Sequence, residues 1–296
     1  MKAAPLPLLL EMQNPDGGWP SQPGRSSNTE ATAFAVLALR ALAASDATRA
    51  GERGLRWLSD RQRPDGSWAF SAPVPEASWA TGIATLAMLG QDRDRARSSA
   101  GWLLGQQGRP LGWHLSLLYR VAPSLLPVRL NPDLKGWPWR SHATGFVEPT
   151  AYALIALKKL RPHADTRAEA RIQEAEAMLY DRMCPNGGWN YGNSVVLGVD
   201  LPPYADVTAL TLIALQDYRG SEPNVVSLAA LRRMLAEVDS SLALAWATLC
   251  LSLYGEDTES LQRRLERRYR ERPFLVDTRS LALTLLALAR STVFRL

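Results

Sequence analysis

The sequence predicts an all-α protein built as an (α/α)6 toroid, in which six outer helices wrap six inner ones. Three observations predict this fold class. A short turn that ends in tryptophan recurs between helical segments, at Trp19, Trp68 and Trp189. Amphipathic, charged segments alternate with segments that are almost free of charge. The alternation runs through all 296 residues, so we expect a single toroid domain over 1–296.

The recurring turns read MQNPDGGW, RQRPDGSW and RMCPNGGW. Proline presets one backbone angle, and the Asp-Gly or Asn-Gly that follows accepts the tight turn that ends a helix. The tryptophan is expected to pack between neighbouring repeats. Trp113, which comes 45 residues after Trp68, is interpreted as the tryptophan of a further repeat. These turns therefore predict structural joints between outer and inner helices.

The charged segments are expected on the outside, because their apolar residues recur every three or four positions along one face. They span 5–13, 48–62, 93–107, 165–183, 224–237 and 258–271. The other segments are apolar all round, which predicts burial on every side. They span 30–43, 78–90, 148–160, 206–218, 241–254 and 279–292.

One segment departs from the repeat. Residues 114–141 separate the third outer from the third inner segment and are rich in leucine, proline and tryptophan. We expect an irregular apolar loop that either seals one end of the ring as a lid or contacts a membrane or partner. Trp137 and Trp139 are expected to pack this loop onto the rim.

Composition narrows the class of function. The net charge is +5, but the basic cluster at 262–272 is interleaved with glutamate and lacks aromatic stacking residues, so no nucleic acid is expected. Two cysteines, Cys184 and Cys250, make no disulfide framework, which favours the cytoplasm. No apolar run is long enough to span a membrane, which leaves peripheral membrane contact through 114–141 as an alternative. The first residues are not interpreted as a signal peptide, because they run straight into the first turn.

The turn strings, each after a helix, resemble the QW motif of the squalene-hopene and oxidosqualene cyclases. RGLRWLSDRQRPDGSW, at 53–68, matches the whole motif, and the other two turns match it in part. Protein prenyltransferase β-subunits share the same toroid. The resemblance implies a single-toroid, terpene cyclase-like isomerase or lyase. Its substrate would be an isoprenoid or similar apolar molecule in a central cavity, and its reaction a protonation-initiated cyclisation or isomerisation.

The chemical motifs of this superfamily are only partly present. Class II terpene cyclases carry DxDD at the start of an inner helix, and the matching stretch 204–207 keeps only the middle aspartate, Asp206. The zinc set of prenyltransferases, made of aspartate, cysteine and histidine, is not recognisable around Cys184 or Cys250. There is also no DDxxD for magnesium. We therefore expect no metal and no cofactor.

Acids recur at the starts of the apolar segments. Glu30 precedes Ala-Thr-Ala, Glu148 precedes Pro-Thr-Ala and Asp206 precedes Val-Thr-Ala, while Asp277 lies two positions earlier in register. In a toroid these starts converge on one end of the cavity. Such acids complement the helix dipole. Alternatively, a desolvated carboxyl at this place has a raised pKa and donates a proton.

The catalytic hypothesis assigns proton donation to Asp206, with Glu148 and Glu30 tuning it or taking the final proton. Aromatic faces would stabilise a cationic intermediate. The predicted substrate-binding residues are Trp79, Tyr204, Phe146, Trp246 and Asp277, with Phe34 as a further aromatic candidate.

Two other classes of function stay open. The incomplete motifs favour a non-catalytic toroid that binds a lipid or a protein. Some glycosidases also use this toroid with two carboxylates, but an apolar inner ring suits sugar hydroxyls poorly.

Overall fold

The computed structural model describes residues 5–42, 44–109, 112–122, 128, 130–160, 166–271 and 277–296. Within them, charged outer helices alternate with apolar inner helices, as the sequence predicts. The outer helices are α1 (Pro5–Glu11), α3 (Ser45–Arg61), α5 (Arg93–Gly105), α8 (Thr166–Asp181), α10 (Glu222–Met234) and α12 (Glu259–Glu271). The inner helices are α2 (Thr29–Arg40), α4 (Thr81–Met88), α7 (Val147–Leu160), α9 (Ala205–Ala214), α11 (Ser241–Leu253) and α13 (Thr278–Leu288).

The inner helices form a closed ring. Each packs against the next in chain order, from α2 through α4, α7, α9 and α11 to α13, and α13 packs back against α2. The outer helices pack around them, and α1 contacts α13, so the two ends of the described chain meet. The inner helices supply most of the buried core, and most of those residues are alanine or leucine. The (α/α)6 toroid is thereby confirmed.

The inner helices also run parallel to one another. At the end of α2, Arg40 donates from Nη1 to the carbonyl of Ala87 at the end of α4, at 2.9 Å. At the end of α7, Lys158 donates to the carbonyl of Ala214 at the end of α9, also at 2.9 Å. All the starts therefore lie at the opposite end of the ring. We call that end the mouth.

Four repeat turns join an outer helix to the next inner helix through a tryptophan and a threonine. The indole Nε1 of Trp68 donates to the carbonyl of Leu58 in α3 (2.8 Å), and its backbone N–H donates to Oγ1 of Thr81 in α4 (3.0 Å). Gly66 supplies the left-handed residue of the turn, at φ +83°. The same pair of bonds recurs in Trp19 with Leu9 and Thr32, Trp137 with Leu103 and Thr150, and Trp189 with Leu179 and Thr208.

The third joint uses Trp137, so the interpretation of Trp113 as a repeat tryptophan is wrong. Trp113 is 79% exposed, whereas Trp137 is 2% exposed. The joint is displaced because a further helix, α6 (Trp113–Val121), is inserted before it. The segment 114–141 is therefore helical in part rather than irregular throughout, and its residues 123–127 and 129 lie outside the described residues.

Two small antiparallel hairpins lie between a turn tryptophan and the next inner helix. β1 (Ala69–Ser71) pairs with β2 (Val74–Ala77), and β3 (Val195–Val196) pairs with β4 (Val199–Asp200). Gln216–Tyr218 form a 3-10 turn after α9, where the sequence predicts that the helix continues. None of the described helices combines the length and the apolarity that a membrane crossing requires.

Candidate active site

One register position of the inner helices brings functional side chains to the mouth. Each turn tryptophan donates its backbone N–H to a threonine of the following inner segment. The residue two positions before that threonine lies at the mouth. In chain order these residues are Glu30, Trp79, Glu148 and Asp206.

A fifth residue at this position, in α13, is the cation Arg279. Asp277 caps α13 and Asn28 caps α2, each accepting the backbone N–H three residues later at 2.9 Å. Two residues after the cap come Arg279 in α13 and Glu30 in α2. The shared capping pattern at the start of these two helices therefore places a cation in the same register as the acids.

A single guanidinium nitrogen bridges two of the acids. Nη1 of Arg279 lies 2.9 Å from Oε1 of Glu30 and 2.9 Å from Oε1 of Glu148. α2 is the neighbour of α13 in the ring but α7 is not, so the arginine reaches across the mouth. Glu148 is only 4% exposed. The bridge ties together three inner helices at their starts.

Burial makes both bridged acids harder to ionise. Burial raises the pKa of Glu148 and the pKa of Glu30, while Arg279 opposes the rise in both. The charges of Glu30 and Asp206 raise the pKa of Glu148 further. Since Glu30 and Glu148 share one cation and the charge of Asp206 also acts on Glu148, protonation of one acid relieves repulsion among them. A carboxyl in these surroundings can hold a proton that an exposed carboxyl would lose.

Two tyrosine hydroxyls complete the network. Tyr152 donates to Oε1 of Glu148 at 3.2 Å, and Tyr191 donates to Oδ2 of Asp206 at 2.5 Å. Burial raises the pKa of both phenols, and the hydrogen bond to Asp206 adds to the rise for Tyr191. Both hydroxyls therefore stay protonated and act as donors. We call the set Glu30, Glu148, Asp206, Arg279, Tyr152 and Tyr191 the mouth cluster.

Aromatic rings lie beside these acids. Trp79 stacks on Tyr152 with the ring centroids 5.8 Å apart, and Trp139 meets Trp79 edge-on at 4.7 Å. Tyr204 packs against Tyr191 at 5.6 Å and is 50% exposed. Because the faces of such rings attract cations, the mouth combines carboxyl groups with surfaces that can stabilise positive charge.

Below the mouth, aromatic side chains fill the axis of the ring. Phe34 contacts Tyr152 at 6.0 Å and Trp246 at 6.1 Å, and Phe294 contacts Trp246 at 5.2 Å. All four side chains are at most 1% exposed. A ligand of the acids would therefore contact them from the mouth and would not pass down the axis at this level.

The residues predicted as substrate-binding are divided among three places. Trp79 lies in the mouth, and Tyr204 and the half-buried Phe146 lie at its rim. Trp246 is buried in the axis, since its contacts are with other core rings. Asp277 holds the first turn of α13 as its cap.

Three members of the mouth cluster were missed by sequence reasoning. Arg279 could have been found by aligning the caps, because Asp277 corresponds to Asn28 rather than to Glu30. Tyr152 lies four residues after Glu148, the spacing that places two side chains on one helical face. Tyr191 belongs to the loop after the fourth turn, and no periodic signal marks it.

The cysteines take no part in this site. Cys184 is 1% exposed and Cys250 is fully buried, and burial raises the pKa of each thiol. Among the described residues, no group of three or more histidine, cysteine, aspartate or glutamate side chains could hold a metal ion.

Comparison of the sequence with known proteins gives one partial relative. The chain is 31% identical over 117 residues to copalyl diphosphate synthase of Streptomyces anulatus. The match covers 38% of this chain and 21% of the synthase, so the chain spans about a fifth of the length of that enzyme. No family model matches the sequence.

Comparison of the structures extends over nearly the whole chain. The type II terpene cyclase MstE from Scytonema, determined with its substrate geranylgeranyl dihydroxybenzoate, superimposes with a TM-score of 0.60 at 16% identity. That superposition covers 97% of this chain and 95% of the cyclase. The fold is that of a terpene cyclase-like toroid.

The same fold also carries other chemistry. An α-amylase from Clostridium perfringens superimposes with a TM-score of 0.64 at 9% identity, over 97% of this chain and 96% of its own. Because one toroid serves both a terpene cyclase and an amylase, the function of this chain must be argued from its own site.

Proposed function

We propose that the chain binds an isoprenoid or a similar apolar molecule at the mouth and transfers a proton to it, which starts a cyclisation or an isomerisation. The observation that carries the proposal is the position of Glu148. It is a buried carboxyl with a raised pKa that accepts the hydroxyl of Tyr152, and the ring of Tyr152 stacks on Trp79. An acid beside π faces is the combination that alkene protonation requires.

Within this proposal the proton is held by the pair Glu148 and Asp206. The sequence assigns donation to Asp206, which is half-buried and accepts the Tyr191 hydroxyl. Glu148 has an equal claim, because burial and the charges of its neighbours raise its pKa. Glu30 and Glu148 both contact Nη1 of Arg279, so Glu30 competes with Glu148 for the stabilisation that this cation gives to an ionised carboxylate.

The similarities support this substrate class in a limited way. MstE binds geranylgeranyl dihydroxybenzoate, which carries an isoprenoid chain. The aromatic residues in the axis favour a ligand that lies in the mouth with an apolar part against Trp79 and Tyr204.

The test is conversion of linear isoprenoids of increasing length, namely farnesol, geranylgeraniol and squalene, followed by gas chromatography. Glu148→Gln or Asp206→Asn should lower conversion by about 100-fold or more, since a positioned general acid contributes on that order. Asp92→Asn is the matched control, because Asp92 caps the outer helix α5 and asparagine caps equally well. Unchanged conversion in both mouth variants would refute the acid assignment.

A non-catalytic scaffold is the second candidate, and one observation favours it. Phe34, Tyr152, Trp246 and Phe294 fill the axis, so the described residues leave little depth for a large substrate there. In that case an isoprenoid or a protein partner binds without conversion. Saturable binding of an isoprenoid with no product, in the wild type and in Glu148→Gln alike, would favour the scaffold.

We also propose peripheral contact with a membrane through α6. Trp113, Leu117 and Val121 are spaced by four residues, so they lie on one helical face, and all are at least 53% exposed. Such a face suits the interface of a lipid bilayer. Sedimentation with phosphatidylcholine–phosphatidylglycerol vesicles tests it, and Leu117→Glu should abolish binding while Arg97→Glu, on exposed α5, should change it much less.

A further inference from the structure

A basic pocket lies at the ends of two outer helices, on the mouth side of the ring. It is shallow and partly open to solvent. Arg109 follows α5, Arg182 follows α8, and Lys135 belongs to the inserted segment, and all three line it. None of the described residues that line it is acidic. We call it the arginine pocket.

One wall of the pocket is fixed by close backbone packing. Gly108 donates its N–H to the carbonyl of Gly136, and Arg109 donates its N–H to the carbonyl of Ala143, both at 2.8 Å. A Cβ atom on Gly108 would lie 2.4 Å from the backbone nitrogen of Gly145, so only glycine allows this approach. The wall is therefore formed before any ligand arrives, which reduces the entropic cost of binding.

Arg182 brings a buried donor without a partner to this pocket. Its side chain is 5% exposed, and Nη1 donates to Oδ1 of Asn193. Its Nε has no hydrogen-bond partner in the described part of the chain. Oδ2 of Asp181 lies 3.6 Å from this Nε, but it accepts the backbone N–H of Asn131 at 2.9 Å. This N–H is screened from solvent, so Arg182 acts on the pocket through its positive charge, which Asp181 balances only in part.

We propose that the arginine pocket binds a small oxyanion of the phosphate class, either free phosphate or the phosphate group of an organic ester. Arg182 supplies a buried positive charge, and Arg109 and Lys135 are the outer cations. Asp181 pairs with Arg182, and Asp133, beside the pocket lining, pairs with Arg120, so the pocket keeps a surplus of two positive charges, which matches a doubly charged oxyanion. The pocket shares no lining residue with the mouth cluster, so this proposal does not depend on the proposed function.

The test is isothermal titration calorimetry of inorganic phosphate into the full chain, in chloride buffer of matched ionic strength. Wild type should bind phosphate at one site. The double variant Arg109→Gln/Lys135→Gln should weaken binding by about tenfold or more, because two charge-assisted contacts are lost. Arg109 is exposed and Lys135 is half-buried, so the fold should persist, as circular dichroism can check.

The matched control is Arg97→Gln/Arg263→Gln, which removes the same charge from exposed positions outside the pocket. It should bind phosphate within about twofold of wild type, since screened surface charges contribute little. Equal weakening in the two double variants, or no binding to wild type, would overturn the proposal. Tighter binding of acetate than of phosphate would overturn it as well.

A second arm of the titration distinguishes the two sources of the phosphate group. If methyl phosphate binds at least as tightly as inorganic phosphate, and loses affinity in Arg109→Gln/Lys135→Gln, the pocket accepts a phosphate ester. If methyl phosphate binds more than about tenfold more weakly, the ligand is the free ion, because the pocket then requires all of the oxygens.

Discussion

The two ends of the ring each bury a cation between two acids, but in opposite electrostatic settings. At the far end, Nζ of Lys158 lies 2.7 Å from Glu176 and 3.1 Å from Asp217. It also donates to the carbonyl of Ala214 at the end of α9. A cation at the C-terminal ends of helices is where the helix dipoles favour it. The far-end network therefore follows the field of the helices.

At the mouth, the cation lies where the helix dipole opposes it. Arg279 lies in the first turn of α13, where the helix dipole favours an acid, and it needs Glu30 and Glu148 to hold it there. Around it Glu30 and Glu148 share one cation, and burial raises the pKa of both. The comparison indicates that the far-end network is the more stabilising of the two, whereas burial at the mouth makes Glu30 and Glu148 harder to ionise.

The largest expected effect is at the far end. Lys158→Met leaves Glu176 buried without its cation and should lower the free energy of unfolding by about 3–5 kcal/mol, the usual cost of breaking a buried pair. Urea denaturation followed by circular dichroism measures it. Lys159→Met is the control, because Lys159 only donates to the carbonyl of Arg295 and should cost about 1 kcal/mol. Equal losses in the two variants would remove the distinction between the ends.

The next effect is at the mouth. Arg279→Met should cost less, about 2 kcal/mol at neutral pH, since the side chain is 21% exposed and the acids it leaves can take up a proton. Arg279→Lys should recover part of the loss, because a single nitrogen makes both contacts. A loss in Arg279→Met greater than that in Lys158→Met would contradict the view that the far end is the more stabilising of the two.

A smaller effect tests the tryptophan–threonine joints at the mouth. Thr208→Val removes the acceptor of the buried Trp189 N–H and should cost about 1–3 kcal/mol, the penalty of an unsatisfied buried donor. Thr211→Val, one turn deeper, removes only a hydroxyl that donates to the Val207 carbonyl and should cost less than about 1 kcal/mol. Thermal denaturation of the pair measures the difference, and the reverse order would show that the joint is not the stabilising contact.

The ring could be predicted from sequence because its signals are local and repeated. The alternation of charged and apolar segments predicted both sets of helices. The recurring turn sequences predicted three of the four tryptophan joints. The joint at Trp137 was missed because α6 is inserted before it, and an insertion interrupts the spacing of the repeat. Glu30, Glu148 and Asp206 were found from their common register, whereas Lys158, Glu176 and Asp217 meet only in three dimensions. That one domain spans 1–296 stays a prediction.

The smallest expected effect is a change in the pH dependence of stability. Burial raises the pKa of Glu148 in the folded state above its unfolded value of about 4.3, so the folded chain keeps a proton that the unfolded chain loses. The stability that this proton gives is fully present below the unfolded pKa and is lost as pH rises through the folded pKa. Glu148→Gln removes this dependence. From about pH 4.5 to pH 7.5, wild type should therefore lose stability relative to the variant.

Urea unfolding across this range measures the two slopes. The matched control is Glu169→Gln, at an exposed position on α8, and its curve should run parallel to that of wild type. Parallel curves for wild type and Glu148→Gln would mean that Arg279 keeps Glu148 ionised throughout. The mouth would then resemble the far end, a satisfied ion pair with no proton to give, and Asp206 alone would have to supply the acid.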